Sequence, residues 1–183
     1  MFFFAIRKDI SHNQINLDKE LISKQNIDLK KSTSLKKYKN VLDNLLEKQV
    51  DEKYYLSEKI KPTILSDGSK KFKSKSKINQ LIARPLTATM VKMHRACQDN
   101  YYSDEFLDSF DKIEYLNREI PKVEEAKHRI RKLTPLEALK LQGFDKEFYK
   151  NASNAGVSSH QIYKQTGNAV SVNTVYHIIH YLI

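Results

Sequence analysis

Two stretches decide the reading: Arg131-Lys-Leu-Thr-Pro-Leu-Glu-Ala-Leu-Lys-Leu-Gln-Gly-Phe144, and Gln161-Ile-Tyr-Lys-Gln-Thr-Gly-Asn-Ala-Val-Ser-Val-Asn-Thr-Val175. The first has the grammar of a capped helix over residues 133–143. Thr134 suits the N-cap, Pro135 the first helical position, and Glu137 closes a capping box three residues on. Gly143 is a natural stop, because a left-handed residue ends a helix at little cost to glycine. The second stretch runs through Gly167 and Asn168 into an apolar pattern. Val172, Val175, Ile179 and Leu182 fall on one face of a final helix over 169–183.

Around these, signals are weaker. Phe2–Ile6 is a short aromatic-rich run that predicts a buried strand. Residues 11–34 are polar and predict a loop. Tyr38, Val41, Leu42, Leu45 and Leu46 recur at helical spacing. Ser57, followed by Glu58, is a candidate cap for a short helix, with Pro62 near its first turn. Residues 66–79 are rich in Ser and Lys and predict a flexible basic linker or a loop facing DNA. Residues 80–110 mix short β-prone pieces with polar groups.

The 183 residues carry 32 Lys and Arg against 22 Asp and Glu, a formal charge of +10. A balance this basic points to a polyanionic partner, most simply nucleic acid, although a lysine-rich surface has the same composition. No run is long and apolar enough for a membrane span, so no membrane partner is expected. Cys97 is the only cysteine. It excludes an internal disulfide framework and fits a reducing cytoplasmic setting. His94 with Cys97 falls short of the three or four ligands a metal site needs. With four glycines in the chain, a Gly-rich phosphate loop is not expected.

The 131–144 block resembles the ninth motif of the cytosine-5 DNA methyltransferases, and Tyr163-Lys-Gln-Thr-Gly-Asn-Ala-Val170 resembles the tenth. The two stand in that family's order. The resemblance implies an α/β fragment: the C-terminal part of a Rossmann-like methyltransferase domain plus a small mixed α+β target-recognition domain. Residues 1–65 would hold the end of a catalytic-domain strand and connecting helices. Residues 66–145 would be the recognition domain with the ninth motif, and 146–183 the tenth motif and closing helix. Phe2–Ile6 resembles the strand that follows the family's Gln-x-Arg-x-Arg, so the chain is expected to match roughly the last two-fifths of a complete enzyme.

That expectation leaves out the chemistry. Methylating carbon 5 requires covalent attack at carbon 6, which turns the ring into an enamine-like nucleophile. In the family a Pro-Cys-Gln cysteine attacks, a Glu-Asn-Val glutamate and the Gln-x-Arg-x-Arg arginines hold the base, and a glycine-rich loop binds S-adenosylmethionine. None of these is in the sequence. Ala96-Cys97-Gln98 only superficially resembles the nucleophile motif and lies in the wrong order, so no catalytic residue is assigned. The resemblance does imply that Asn168 and Ala169 line the S-adenosylmethionine pocket, with Gly167 allowing a tight turn into the last helix. Residues 82–102 would form the recognition core, where Pro85-Leu86-Thr87-Ala88 stands in place of the usual Thr-Leu pair. Candidate DNA contacts are Thr87, Lys92, His94, Arg95, Gln98 and Asn100, all donors suited to base edges or phosphates. Arg131 reads as either a phosphate contact or an internal salt bridge, with the bridge favoured.

The implied function is the C-terminal part or subunit of a DNA (cytosine-5)-methyltransferase of a restriction–modification system. Its partners would be double-stranded DNA and an N-terminal methyltransferase half. The alternatives are a disrupted reading frame and a non-catalytic DNA-binding remnant.

Overall fold

The computed structural model describes residues 45–69, 72–92, 95–172 and 174–175. Phe2–Ile6, the 11–34 loop, Tyr38, Val41, Leu42, His94, Ile179 and Leu182 lie outside the described residues.

A short antiparallel ladder organises the rest. β3 (Tyr101–Ser103) pairs with β4 (Ile130–Lys132), with Tyr101 opposite Lys132 and Tyr102 opposite Arg131. Tyr55 and Leu56 lie along the other edge of β4, where the Leu56 amide donates to the Ile130 carbonyl at 2.8 Å. Successive side chains of a strand point to opposite faces, so the ladder divides two apolar clusters. Tyr101 and Ile130 pack with Leu56, Ile64, Leu65, Ile78 and Ala96. Tyr102 packs with Leu46, Phe106, Tyr115 and Leu133.

Earlier in the chain, α1 (Lys61–Leu65) supplies Ile64 and Leu65 to the first cluster. Two short strands follow, β1 (Gly68–Ser69) paired antiparallel with β2 (Phe72–Lys73). After β3 come α2 (Asp104–Asp108), α3 (Lys112–Asn117) and α4 (Lys122–Glu125). Ser103 and Asp111 cap α2 and α3 through side-chain oxygens that accept first-turn amides. After β4 come α5 (Pro135–Leu141), α6 (Lys146–Asn154) and α7 (Ser159–Asn168). Ala138 of α5 meets Tyr163 of α7 in a third cluster with Met90.

The cap on α5 is as the sequence indicates. Thr134 is the N-cap, both halves of the capping box are present, and Gly143 adopts φ 90° after the helix. Three expectations change. The helix near Pro62 begins at Lys61, and Ser57 contributes its carbonyl, not its hydroxyl, by accepting from the amides of Ile60 and Lys61. The stretch 66–79 is not a linker throughout. Ser76, Ile78 and Asn79 are buried, and the Asn79 amide group spans Ser103, donating to its Oγ at 3.0 Å and accepting from its backbone N–H at 2.7 Å. Asn79 takes φ 59°, which a short polar side chain tolerates better than most. Finally, residues 159–168 form a helix before the predicted last one. Ser158 caps it, and Ile162, Tyr163 and Thr166 are its buried face.

Arg131, 1% exposed, is the polar centre of the fold. Its guanidinium meets the Glu137 carboxylate in two bonds of 2.8 and 2.9 Å and donates to the Glu47 carbonyl at 2.9 Å. Glu137 also accepts from the backbone N–H groups of Glu47 and Thr134, each at 2.7 Å. Thr134 Oγ1 accepts from the Glu137 amide and donates to the Glu47 carboxylate at 2.7 Å. The internal bridge is therefore the correct reading of Arg131. Removing one partner strands a buried charge, at a typical cost of about 3–5 kcal/mol. A capping hydroxyl alone is worth about 1 kcal/mol. Glu137→Ala should accordingly lower unfolding free energy, measured by urea denaturation, several-fold more than Thr134→Ala. Equal losses would contradict this ranking.

Candidate nucleic-acid interface and the Gly167 turn

The described residues of the 84–100 loop, 84–92 and 95–100, are closed at their base by one side chain. Asn100 accepts from the Arg84 amide at 2.8 Å and donates to the Arg84 carbonyl at 3.2 Å. Arg84 returns along the loop to donate from Nε to the Ala96 carbonyl at 3.1 Å. Asp99 takes the Val91 N–H at 3.0 Å. Ala96 is tied to α1 through its amide, which donates to the Ile64 carbonyl at 2.9 Å.

This wiring sorts the sequence candidates. Thr87, Lys92 and Gln98 are exposed on the loop, and Arg95 is half-buried. The Arg95 carbonyl accepts the amides of Gln98 and Asp99, so its backbone shapes the turn that carries Gln98. Asn100 is buried, and both ends of its amide serve Arg84, which makes it a loop-closing residue in this structure. Cys97 is half-buried beside the buried Ala96. Among the described residues, no group of three or more His, Cys, Asp or Glu is placed to hold a metal ion.

The loop is seated on α7 by Gly167. A Cβ built there would lie 2.1 Å from the Thr87 carbonyl carbon and 2.3 Å from the Ala88 nitrogen. Such distances require backbone to move, so only glycine lets α7 approach this closely. Gly167 has a helical conformation. Its function is close approach, not the tight turn expected from sequence. The helix ends at the next residue. Asn168 is the last residue of α7 and is exposed, while Ala169 is the extended C-cap whose N–H donates to Thr166. Asn168 is therefore at a helix C-terminus, not at the N-cap of the closing helix. That later helix starts at Val172, with the Val175 amide donating to the Ser171 carbonyl at 3.1 Å. Gln142 braces the turn on both sides. Its side chain donates to the Thr166 carbonyl at 3.2 Å, and its carbonyl accepts from the Val172 amide at 2.8 Å. Beyond the brace, Val170, Val172 and Val175 are all exposed.

Burial governs ionisation nearby. It pushes the phenols of Tyr101, Tyr102 and Tyr163 far above their ordinary range, so they stay neutral. The Tyr163 hydroxyl donates to the Leu133 carbonyl at 2.6 Å. Burial lowers the pKa of Lys132. Sequence reading missed Gly167's packing, the Asn100–Arg84 closure and the position of Lys132. The first had a visible signal: Ser158 with Ile162, Tyr163 and Thr166 already spelled a helix running through the glycine.

The chain belongs to the C-5 cytosine-specific DNA methylase family, whose sequence model matches residues 1–183. It is 31% identical over 166 residues to the type II methyltransferase M1.ScrFI of Lactococcus lactis subsp. cremoris, covering 90% of this chain and 36% of that protein. It is 51% identical over 57 residues to the orphan methyltransferase M.SPRI of Bacillus phage SPR, covering 31% of this chain and 13% of that one. Among solved structures it is similar to the Entamoeba histolytica methyltransferase EhMeth, with a TM-score of 0.55 and 19% identity over 76% of this chain and 39% of that chain. The S. pombe Dnmt2 methyltransferase gives a TM-score of 0.51 and 18% identity, covering 75% of this chain and 38% of that one. These neighbours have a Rossmann-like methyltransferase fold, and the α/β content here fits it. The chain thus spans well under half the length of these relatives. Among the described residues, no helix is long and apolar enough to cross a membrane.

An alanine inside a helix normally adds about 0.5–1 kcal/mol relative to glycine. Gly167→Ala should reverse that sign, because the methyl group meets the backbone at Thr87. A lowered thermal midpoint is expected, and a raised one would contradict the close-approach role.

Proposed function

We propose that this chain is the C-terminal part of a DNA (cytosine-5)-methyltransferase of a restriction–modification system. It supplies target recognition and completes an S-adenosylmethionine pocket whose larger share lies in an N-terminal half. The observation that carries the reading is the Gly167 seat, which fixes the 84–100 loop directly beside Asn168 and Ala169. Recognition of DNA and contact with the cofactor are then two ends of one packed unit. Thr87, Lys92, Arg95, Gln98 and His94 are the DNA-facing candidates, and Asn100 serves them by closing the loop.

The residues at the turn fit a share of a cofactor site. Asn168 offers an exposed amide with both donor and acceptor, and Ala169 presents an extended, half-buried backbone. The Ala169 N–H already caps α7, so the Asn168 side chain is the better contact. S-adenosylmethionine would supply the transferable methyl group. The cysteine, glutamate and arginine that activate cytosine would come from the N-terminal half.

The second reading, a non-catalytic DNA-binding module, draws on the same loop and the charge of +10. Complementation separates the two. The chain would be mixed with the N-terminal portion of M1.ScrFI, cut ahead of its matching region, plus duplex DNA and tritiated S-adenosylmethionine. Methyl transfer should appear only in the mixture and should survive Cys97→Ser in this chain. Transfer by the isolated chain would overturn the incomplete-enzyme reading. Salt-sensitive DNA binding without transfer in the mixture would favour the module.

A further inference from the structure

β4 sends neighbouring cations into different settings. Arg131 is fully paired with Glu137, while Lys132 is half-buried and lines a recess under the 84–100 loop with Pro85, Leu86, Met90, Val91 and Leu133. The polar groups of that wall are engaged: Asp99 holds the Val91 amide and Asn100 holds Arg84. Among the described residues, Lys132 Nζ has neither a hydrogen-bond partner nor a carboxylate within 4.0 Å. Burial disfavours its charged form, and no charged neighbour offsets this. The Lys132 ammonium is not among the buried unsatisfied atoms of the described residues, so it keeps a path to solvent and to an external anion. A second oddity stands at the same recess. Val91 has φ 63°, a conformation β-branched residues avoid, and Asp99 holds it there. Strain of this kind gathers at ligand sites.

We propose that Lys132 binds a DNA backbone phosphate at the mouth of this recess. Its ammonium is a compact point charge of the kind that binds a phosphate oxygen. Exposed Thr87, Lys92 and Gln98 on the same loop extend the surface. This rests on the reading of residues 84–100 as the DNA-recognition loop.

The test uses the 183-residue chain and a panel of duplexes, with binding measured across a salt series. Each phosphate contact contributes close to one unit to the slope of log affinity against log salt. Lys132→Met should lower that slope by about 1 and weaken all duplexes alike, by about three- to tenfold. Lys132→Arg should keep the slope, and Lys150→Met, on the exposed side of α6, should behave as the parent. A parent-like slope for Lys132→Met overturns the proposal and leaves the loop reading intact. Absence of salt-sensitive binding by the parent overturns both. Should Lys132→Met fail to fold, 13C-dimethylated lysines in the parent decide, with the Lys132 signal assigned by its loss in Lys132→Arg. That signal should shift and its pKa should rise on adding duplex, and an unmoved signal overturns the proposal.

Discussion

The buried Arg131–Glu137 pair is what the described fold depends on, because three separate stretches of chain end on it. Glu47 reaches it through its amide and carbonyl, β4 carries the arginine, and α5 carries the glutamate. Both terminal nitrogens of Arg131 and both carboxylate oxygens of Glu137 are hydrogen-bonded, as a charge pair at 1% and 0% exposure requires. An apolar replacement of the same volume could not fix direction. The forked bonds set the angle at which α5 leaves β4, and α5 in turn carries Ala138 and Gln142 toward α7.

That geometry explains why the loop at Thr87 and the Gly167–Ala169 turn meet in this chain. α5 positions α7 through Tyr163, whose ring packs on Ala138 and whose hydroxyl holds Leu133 just after β4. α7 then presents Gly167 to the backbone at Thr87. The path from the ion pair to the loop runs through rigid helices and one glycine contact, with Gln142 bracing the turn that follows. The loop is fixed at its base by Asn100 and along its length by Gly167, which leaves Thr87, Lys92 and Gln98 on the outside.

Local chemistry was legible in the sequence where it was self-contained. Thr134, Pro135, Glu137 and Gly143 specify α5 within ten residues, and the structure has the same cap and the same stop. The bridging choice for Arg131 was also open to sequence reasoning, since Glu137 lies on the adjoining helix. What depended on partners distant in the chain was not legible. Asn79 sits in a lysine- and serine-rich run, and nothing nearby announces Ser103, 24 positions later, as its partner. Gly167 suggested a turn because glycine so often marks one. Its actual constraint, the backbone at Thr87, is 80 residues upstream. Asn100 has the composition of a base-reading residue and the position of a loop clasp.

The polarity of the Gly167–Asn168 turn bears on how a cofactor would be held. A helix N-terminus gathers amide donors and favours an anionic group, whereas a C-terminus presents carbonyls. Asn168 closes α7, so the backbone there is no ready-made carboxylate cradle, and Thr166 already accepts the Ala169 amide. Any contact with the methionine end of the cofactor would then fall to the Asn168 side chain, because the Val172 amide that follows is bound to the Gln142 carbonyl. The exposed Val170, Val172 and Val175 follow in the chain. An apolar edge beside the exposed Asn168 amide is a surface that a further body of protein could cover, and the functional proposal gives that place to an N-terminal half.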